Sequence, residues 1–210
     1  MTSATTIYKQ TIAKQTASAS AANAASDAAP PATGYTGLIG VQAVAAPVVA
    51  AGSTVETVGV GKEFSTIAQA LAAAQDGWTI LVDAGTYTND FATVSHDVTM
   101  IGVGGMVHMA ATVPPANLKG ILTVDASATI ENFSFSGAAI DDADGGNGAG
   151  IRYEGGDMVL RNDTFTDNQD GLLAFPVLGL PSNTITLDHD TFDMNGSGSG
   201  YTHNAYIGAV

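Results

Sequence analysis

Cysteine is absent from this chain, so it has neither a disulfide framework nor thiol chemistry, and packing and backbone hydrogen bonds must hold it together. Aromatic residues are scarce at 7% and charged residues at 12%, against 45% hydrophobic residues and 25 glycines. A disordered chain would carry more charge and less Val, Ile and Leu, so this composition describes a fold rich in turns around small aliphatic side chains. No apolar run approaches the roughly 20 residues that span a bilayer. The opening residues lack a basic segment followed by an apolar one, so no Sec-type signal is read there. Basic residues are few as well, 6 against 20 acidic ones, for a net charge of −14. Lys9, Lys14 and Asp27 leave residues 1–55 at +1, so the rest of the chain carries −15. Such a body repels nucleic acid and anionic membranes, and also polyanionic sugars unless a divalent cation bridges them.

What is present divides into a tail and a body. Residues 1–34 are rich in Ala, Ser and Thr and are broken by Pro30-Pro31; residues 35–60 scatter Leu38, Ile39, Val41, Val44, Val48, Val49, Val55 and Val58 among Gly and Ala. The second stretch reads as short strands with no evident partner. We assign residues 1–57 to an N-terminal tail or assembly arm and residues 58–210 to one domain. That domain opens with an amphipathic helix over 65–75, with Ser65 as N-cap, Ile67, Leu71 and Ala74 as the apolar stripe, and Asp76-Gly77 as the stop. A β run, Trp78-Thr-Ile-Leu-Val82, follows at once.

Beyond that point the chain repeats. Ile130-Glu-Asn-Phe-Ser-Phe135 aligns with Leu160-Arg-Asn-Asp-Thr-Phe165 and Leu187-Asp-His-Asp-Thr-Phe192, at offsets of 30 and 27 residues. Other short strands begin at Gly120, Gly150 and Gly171, with a further copy at Asn204-Ala-Tyr-Ile-Gly208. Short strands at such spacing fit coils that stack in register while their loops absorb the variation. The stack places Ile130, Leu160 and Leu187 in an inner aliphatic column and Phe135, Phe165 and Phe192 in an aromatic one. Asn132, Asn162 and His189 fall near a bend, where side-chain amides can hydrogen-bond up and down the stack. Val98–Ile101 and Trp78–Val82 supply the first coil.

Several of these segments resemble a known family. Phe64-Ser-Thr-Ile67, Ala84-Gly-Thr-Tyr87, Ile101-Gly-Val-Gly-Gly105, Asn147-Gly-Ala-Gly-Ile151, Asp167-Asn-Gln-Asp-Gly171 and Tyr201-Thr-His-Asn-Ala-Tyr-Ile-Gly208 are similar to right-handed parallel β-helix repeat proteins of the pectate-lyase-like superfamily. The resemblance covers about residues 58–208. It implies an all-β fold, a right-handed parallel β-helix (a solenoid) with a short N-terminal capping helix and an extended N-terminal tail. That superfamily includes lyases, hydrolases, epimerases, tailspikes and adhesins, so it implies a fold more narrowly than an activity. In such proteins the coils continue past the His-Asn-x-Tyr-x-Gly strand, whereas these 210 residues stop there.

The candidate chemistry is acidic. Asp142, Asp144 and Asn147 could offer oxygen ligands to Ca²⁺, with intervening glycines permitting a tight loop, although the bidentate Glu of an EF-hand is lacking. Asp163, Asp167, Asp170, Asp188, Asp190 and Asp193 lie on neighbouring coils. Of these, Asp167, Asp170 and Asp190 are the candidates for an acid/base pair acting on a glycoside. The hydrolase motifs of the superfamily are only partly echoed by Asp167-Asn-Gln-Asp-Gly171, and Gly-His-Gly is missing. Lyases of this fold take a proton with Arg or Lys near calcium. That makes Arg152 the basic candidate, although an ion pair with Asp or Glu accounts for it more readily. His189 and His203 show no zinc spacing.

Two function classes follow. In the first, the chain is a structural, self-assembling protein, secreted to the cell surface or beyond by a route other than Sec. Its subunits join head-to-tail, with the N-terminal arm packing on a neighbour to give a homo-oligomer or filament. In the second it is a polysaccharide lyase, hydrolase or epimerase, or part of one, or a non-catalytic glycan-binding or phage appendage module. An open solenoid exposes strand edges and a cross-section of core, which places assembly ahead of catalysis.

Overall fold

A computed structural model describes residues 53–175, 184–196 and 202–208. The expected tail strands before residue 53 lie outside the described residues. The elements run β1 (Val55–Val58), α1 (Ile67–Ala73), β2 (Trp78–Thr88), β3 (Ala92–Val94), β4 (Val98–Ala110), β5 (Gly120–Val124), β6 (Ala128–Glu131) and β7 (Phe133–Ser136). After a 3-10 turn (Asp142–Asp144) come β8 (Ala149–Tyr153), β9 (Met158–Arg161), β10 (Thr164–Thr166), β11 (Asp170–Ala174), β12 (Ile185–Asp188), β13 (Thr191–Asp193) and β14 (Ala205–Ile207). The described chain is thus mostly β, with one short helix, and its strand ladders are parallel. No described helix is long and apolar enough to cross a membrane.

The order of pairing explains how so short a strand can be stable. The chain visits β6, β7 and β8, then β9, β10 and β11, then β12, β13 and β14, and each strand pairs with the one visited a round earlier. One sheet runs β14-β11-β8-β5-β3. The other runs β12-β9-β6-β4-β7-β10-β13, because the long β4 pairs β6 with its first half and β7 with its second. A three- to five-residue strand has little stability alone; here the ladders above and below supply it.

Register then stacks like on like. Ile80, Met100, Ile130 and Leu160 align in one fully buried column that ends at Leu187. Phe135, Phe165 and Phe192 align in another, with ring centroids 5.2 Å and 4.6 Å apart and planes within 14° and 4° of parallel. Phe165 therefore shields both neighbours from water, and each ring gains a stacked contact besides. Tyr153 is fully buried and donates its hydroxyl to the Gly156 carbonyl, so its polar end is satisfied.

The corners are built by side chains and by left-handed backbone. Asn132, Asn162 and His189 hold φ values of 64°, 52° and 63° between the paired strands, a conformation Asn adopts at low cost. The expected amide ladder is not what these residues build. Only Asn132 reaches across, at 3.3 Å to the Gly102 carbonyl, while His189 turns to Asp188. The second corner falls at Gly137, Asp167 and Met194, again with positive φ. A Cβ on Gly137 would lie 2.3 Å from the Ala111 carbonyl oxygen, so that position admits only glycine. At the third corner Asp76 accepts from the Asp97 N–H, Asp97 from the Ser127 N–H, and Asp157 from the Thr184 N–H.

The N-terminal elements differ from expectation in detail. The helix covers Ile67–Ala73, and its N-cap is Thr66, not Ser65: the Thr66 hydroxyl accepts from the Gln69 N–H. Asp90 supplies the rest, taking the Ile67 and Ala68 N–H groups at 2.6 Å and 3.0 Å, so the helix start is fixed from a distant loop. Ala74 is the C-cap, ahead of the expected stop. Val55–Val58 has a partner after all, β2, which brings this segment into the sheet.

Replacing Phe165, the middle ring, with Ala is expected to cost about 3–5 kcal/mol in urea unfolding, and replacing Phe192, stacked on one side only, distinctly less. Equal losses would mean that burial in the column does not set the cost.

Candidate functional site

The polar residues that repeat along the chain are first of all a scaffold. The Asp163 carboxylate accepts the Phe133 N–H at 2.7 Å and the Arg161 N–H at 3.3 Å. One round later Asp190 accepts the Asp163 N–H at 2.8 Å and the Asp188 N–H at 3.0 Å. Both carboxyls bridge two rounds where the bend leaves amides unpaired. Asp163 is buried, and burial pushes its pKa well above 3.8; burial also raises Asp190. Asp190, a candidate acid, is thus engaged in holding β12 and β13 to the bend.

A second ladder runs through Asn168, Asn195 and Asn204. The Asn168 amide donates to the Phe135 carbonyl and to Asn195 Oδ1, each at 3.0 Å; Asn195 donates to the Phe165 carbonyl at 2.9 Å and to Asn204 Oδ1 at 3.0 Å. This is the amide ladder expected at the first corner, displaced to the stretch after the second. Its signal in the sequence is the Asn three residues after Phe165 and again after Phe192.

Next to it, Gln169 governs the acidic loop. Its Oε1 accepts the Ile140 and Gly148 N–H groups at 2.8 Å and 2.7 Å, and its amide donates to the Ile140 carbonyl at 3.0 Å. Between those anchors, Asp142 and Asp144 form an exposed 3-10 turn, with Asn147 half-buried beyond it. Among the described residues no group of three or more His, Asp or Glu side chains converges as a metal site would. Calcium at this turn would rest on Asp142, Asp144, Asn147 and backbone carbonyls alone.

Of the catalytic candidates, two come together. Asp170 opens β11, its side chain wholly buried, and Arg152 lies on β8, close enough to favour the charged carboxylate. Asp170 Oδ1 accepts the His203 N–H at 2.7 Å and lies 3.4 Å from the His203 ring nitrogen; its other oxygen is buried without a hydrogen-bond partner. Burial raises the Asp170 pKa, and the His203 N–H and charge partly oppose it. The His203 ring is 43% exposed and tilts against Tyr206, centroids 5.3 Å apart. Arg152 has the carboxylate partner the sequence allowed for: its Nε lies 3.4 Å from Glu154, which also pairs with Lys119. Asp167 stands apart as an exposed corner residue, and Asp190 belongs to the buried ladder. The arrangement can hold an imidazole against a buried carboxylate and offer it to solvent, the minimum for moving a proton.

The remaining feature is the state of the last round. Leu187 is 42% exposed and Ile207 45%, although the residues they continue, Leu160 and Ala174, are fully buried. Met194, after β13, and Tyr206, on β14, are exposed as well. A groove of about 440 Å³ lies at the other end, between α1 and β3, lined by Leu71, Phe91, Thr93 and His96 among others. Comparison of the chain with protein-family models, with curated proteins and with solved structures finds no match.

The buried carboxyls give a direct test. Asp163 and Asp190 bind a proton more tightly folded than unfolded, so their stabilising contribution is fully present below about pH 3.8 and lost as pH rises through the raised folded value. Denaturant titrations are expected to show a contribution that appears as pH falls through the raised folded value and is complete by about pH 3.8. Asp163→Asn is expected to flatten that slope while costing about 1–3 kcal/mol at acid pH, because one acceptor oxygen is lost. An unchanged slope would place the proton uptake elsewhere.

Proposed function

We propose that this chain is a right-handed parallel β-helix that works as a structural protein at or beyond the cell surface, its subunits adding head-to-tail into a filament. The observation that carries the reading is the exposure of the last round. Columns buried to 0% through Leu160 and Ala174 emerge as Leu187 and Ile207, on strands β12 and β14 that have one described neighbour each. An unpaired parallel edge backed by apolar side chains is a template for a further strand. Contacts between unlike ends need not close on themselves, and then they propagate. Residues 1–55, at +1 against −15 for the rest of the chain, are charged so as to pack on a neighbour's acidic body.

A second reading, acid–base chemistry on a linear polysaccharide, is favoured by Asp170 behind His203. In it His203 is the group that meets substrate, Asp170 positions it, and Arg152 lies nearby.

Negative-stain microscopy of the full chain, between about pH 5 and about pH 7.5, is expected to show regular filaments under some of these conditions. Removing residues 1–50 is expected to leave folded but discrete particles; the cut spares β1, which belongs to the sheet. Leu187→Lys is expected to block growth at the other end. Filaments that survive the deletion would remove the arm from the mechanism. Discrete particles throughout, together with glycan cleavage abolished by His203→Ala, would put the enzymatic reading in its place.

A further inference from the structure

The two ends of the sheet that carries β1 and β12 are not equivalent. Register runs unbroken from Glu56 to Ile80, Met100, Ile130, Leu160 and Leu187. Five of the six positions are aliphatic or thioether side chains, and the four between the ends are fully buried. The sixth is a glutamate. Glu56 therefore stands where the inner aliphatic column meets the N-terminal edge, and its Oε2 is buried without a hydrogen-bond partner.

Among the described residues, the surroundings of Glu56 offer its charge little compensation. Glu63, on the loop after β1, presents a second carboxyl to it; the hydrogen bond between the two raises the Glu56 pKa, with burial and the Glu63 charge adding to it. Lys62, the nearby cation, is 3.5 Å from Asp83 of β2. The helix α1 carries no charged residue. Phe64 bridges Val58 and donates its N–H to the Thr57 carbonyl, so the part of the edge that no described strand covers is centred on Val55 and Glu56.

We propose that Glu56 guards this edge: while charged it rejects strand β12 of a second copy, and once neutral it admits that strand. The inference rests on the end-to-end reading and names the partner and the condition. The second copy is singled out by the column itself, since β12 continued by one strand would set Leu187 beside Glu56. Adding that strand seals Glu56 from water with an aliphatic neighbour, which a carboxylate resists strongly and a protonated carboxyl much less. Inward-pointing charge at an edge is a known means of preventing unscheduled pairing. Here it leaves the opposite edge, at Leu187, apolar and receptive.

The test is sedimentation velocity on the full chain, comparing wild type with Glu56→Gln and Glu56→Leu at about pH 7.5 and about pH 5. Both variants are expected to assemble at neutral pH at a protein concentration at least about tenfold below wild type, and wild type to assemble only on acidification. Leu187→Glu is expected to stay discrete in every condition, including combined with Glu56→Leu, which separates strand addition from precipitation near the isoelectric point. Circular dichroism checks that each variant is folded, and Glu56→Gln, nearly isosteric, serves if Glu56→Leu is not. Wild type and both Glu56 variants assembling alike would overturn the guard and leave end-to-end stacking intact. No assembly by any variant at either pH would overturn both.

Discussion

Everything in this molecule depends on in-register parallel pairing between successive rounds of chain. No strand of the later rounds exceeds five residues, so each depends on the strand beneath it for backbone hydrogen bonds and on the side chain beneath it for burial. That dependence has a direction. Among the described residues, each interior round is satisfied twice and each terminal round once. The aliphatic and aromatic columns are the packing expression of the same constraint, since a stacked Phe or Leu is dry only if its neighbours above and below are present.

The constraint also explains the polar interior. Three corners per round leave backbone amides that the ladders cannot reach, and each must find an acceptor. Asp163 and Asp190 serve one corner, Asp97 and Asp157 another, and the Asn168–Asn195–Asn204 run follows the third. Much of the acidity of this chain is thereby accounted for as structure, since a carboxylate can accept two amides where an amide side chain offers one oxygen. Repeated carboxylates along a groove invite a catalytic reading. Here the hydrogen bonds of Asp163 and Asp190 show that corner-building comes first, whereas Asp170 keeps an oxygen left over and an imidazole beside it.

What could be read from the sequence was whatever repeats at a constant position. The Ile130, Leu160 and Leu187 column and the Phe135, Phe165 and Phe192 column align at 30 and 27 residues, and pairing follows both. The acidic and amide ladders were harder to place. Asn204 follows Asn195 by nine residues and not by a full round, so no offset search aligns them. At the first bend the residue type was visible and its role only in part: Asn132 bonds through its amide to the Gly102 carbonyl as expected, while the left-handed backbone that Asn132 and Asn162 share is what the corner uses. Thr66 and Asp90 cap α1 from the neighbouring position and from a loop more than twenty residues away, which local spacing cannot report. Glu56 was invisible for the same reason. Nothing near it in the chain marks it as a column residue until β1 is laid against β2.

That placement changes how the terminal rounds should be regarded. A stack that can grow by adding one more strand needs something to set its length, because each addition recreates the edge it has just covered. Many solenoids solve this with a polar end unit at each side. The described residues differ at the two edges of the sheet. At the N-terminal side a helix packs against the core, a loop bridges Val58, and a carboxyl occupies the inner position that no described strand covers. At the other side the columns emerge unaltered, with Leu187 and Ile207 in the places of Leu160 and Ala174. The asymmetry has an energetic consequence: burying Leu187 is favourable wherever an apolar strand meets it, while burying Glu56 is favourable only without its charge. Under the end-to-end stacking proposed above, one residue in the inner column is enough to make the addition of a round depend on conditions at the edge that receives it.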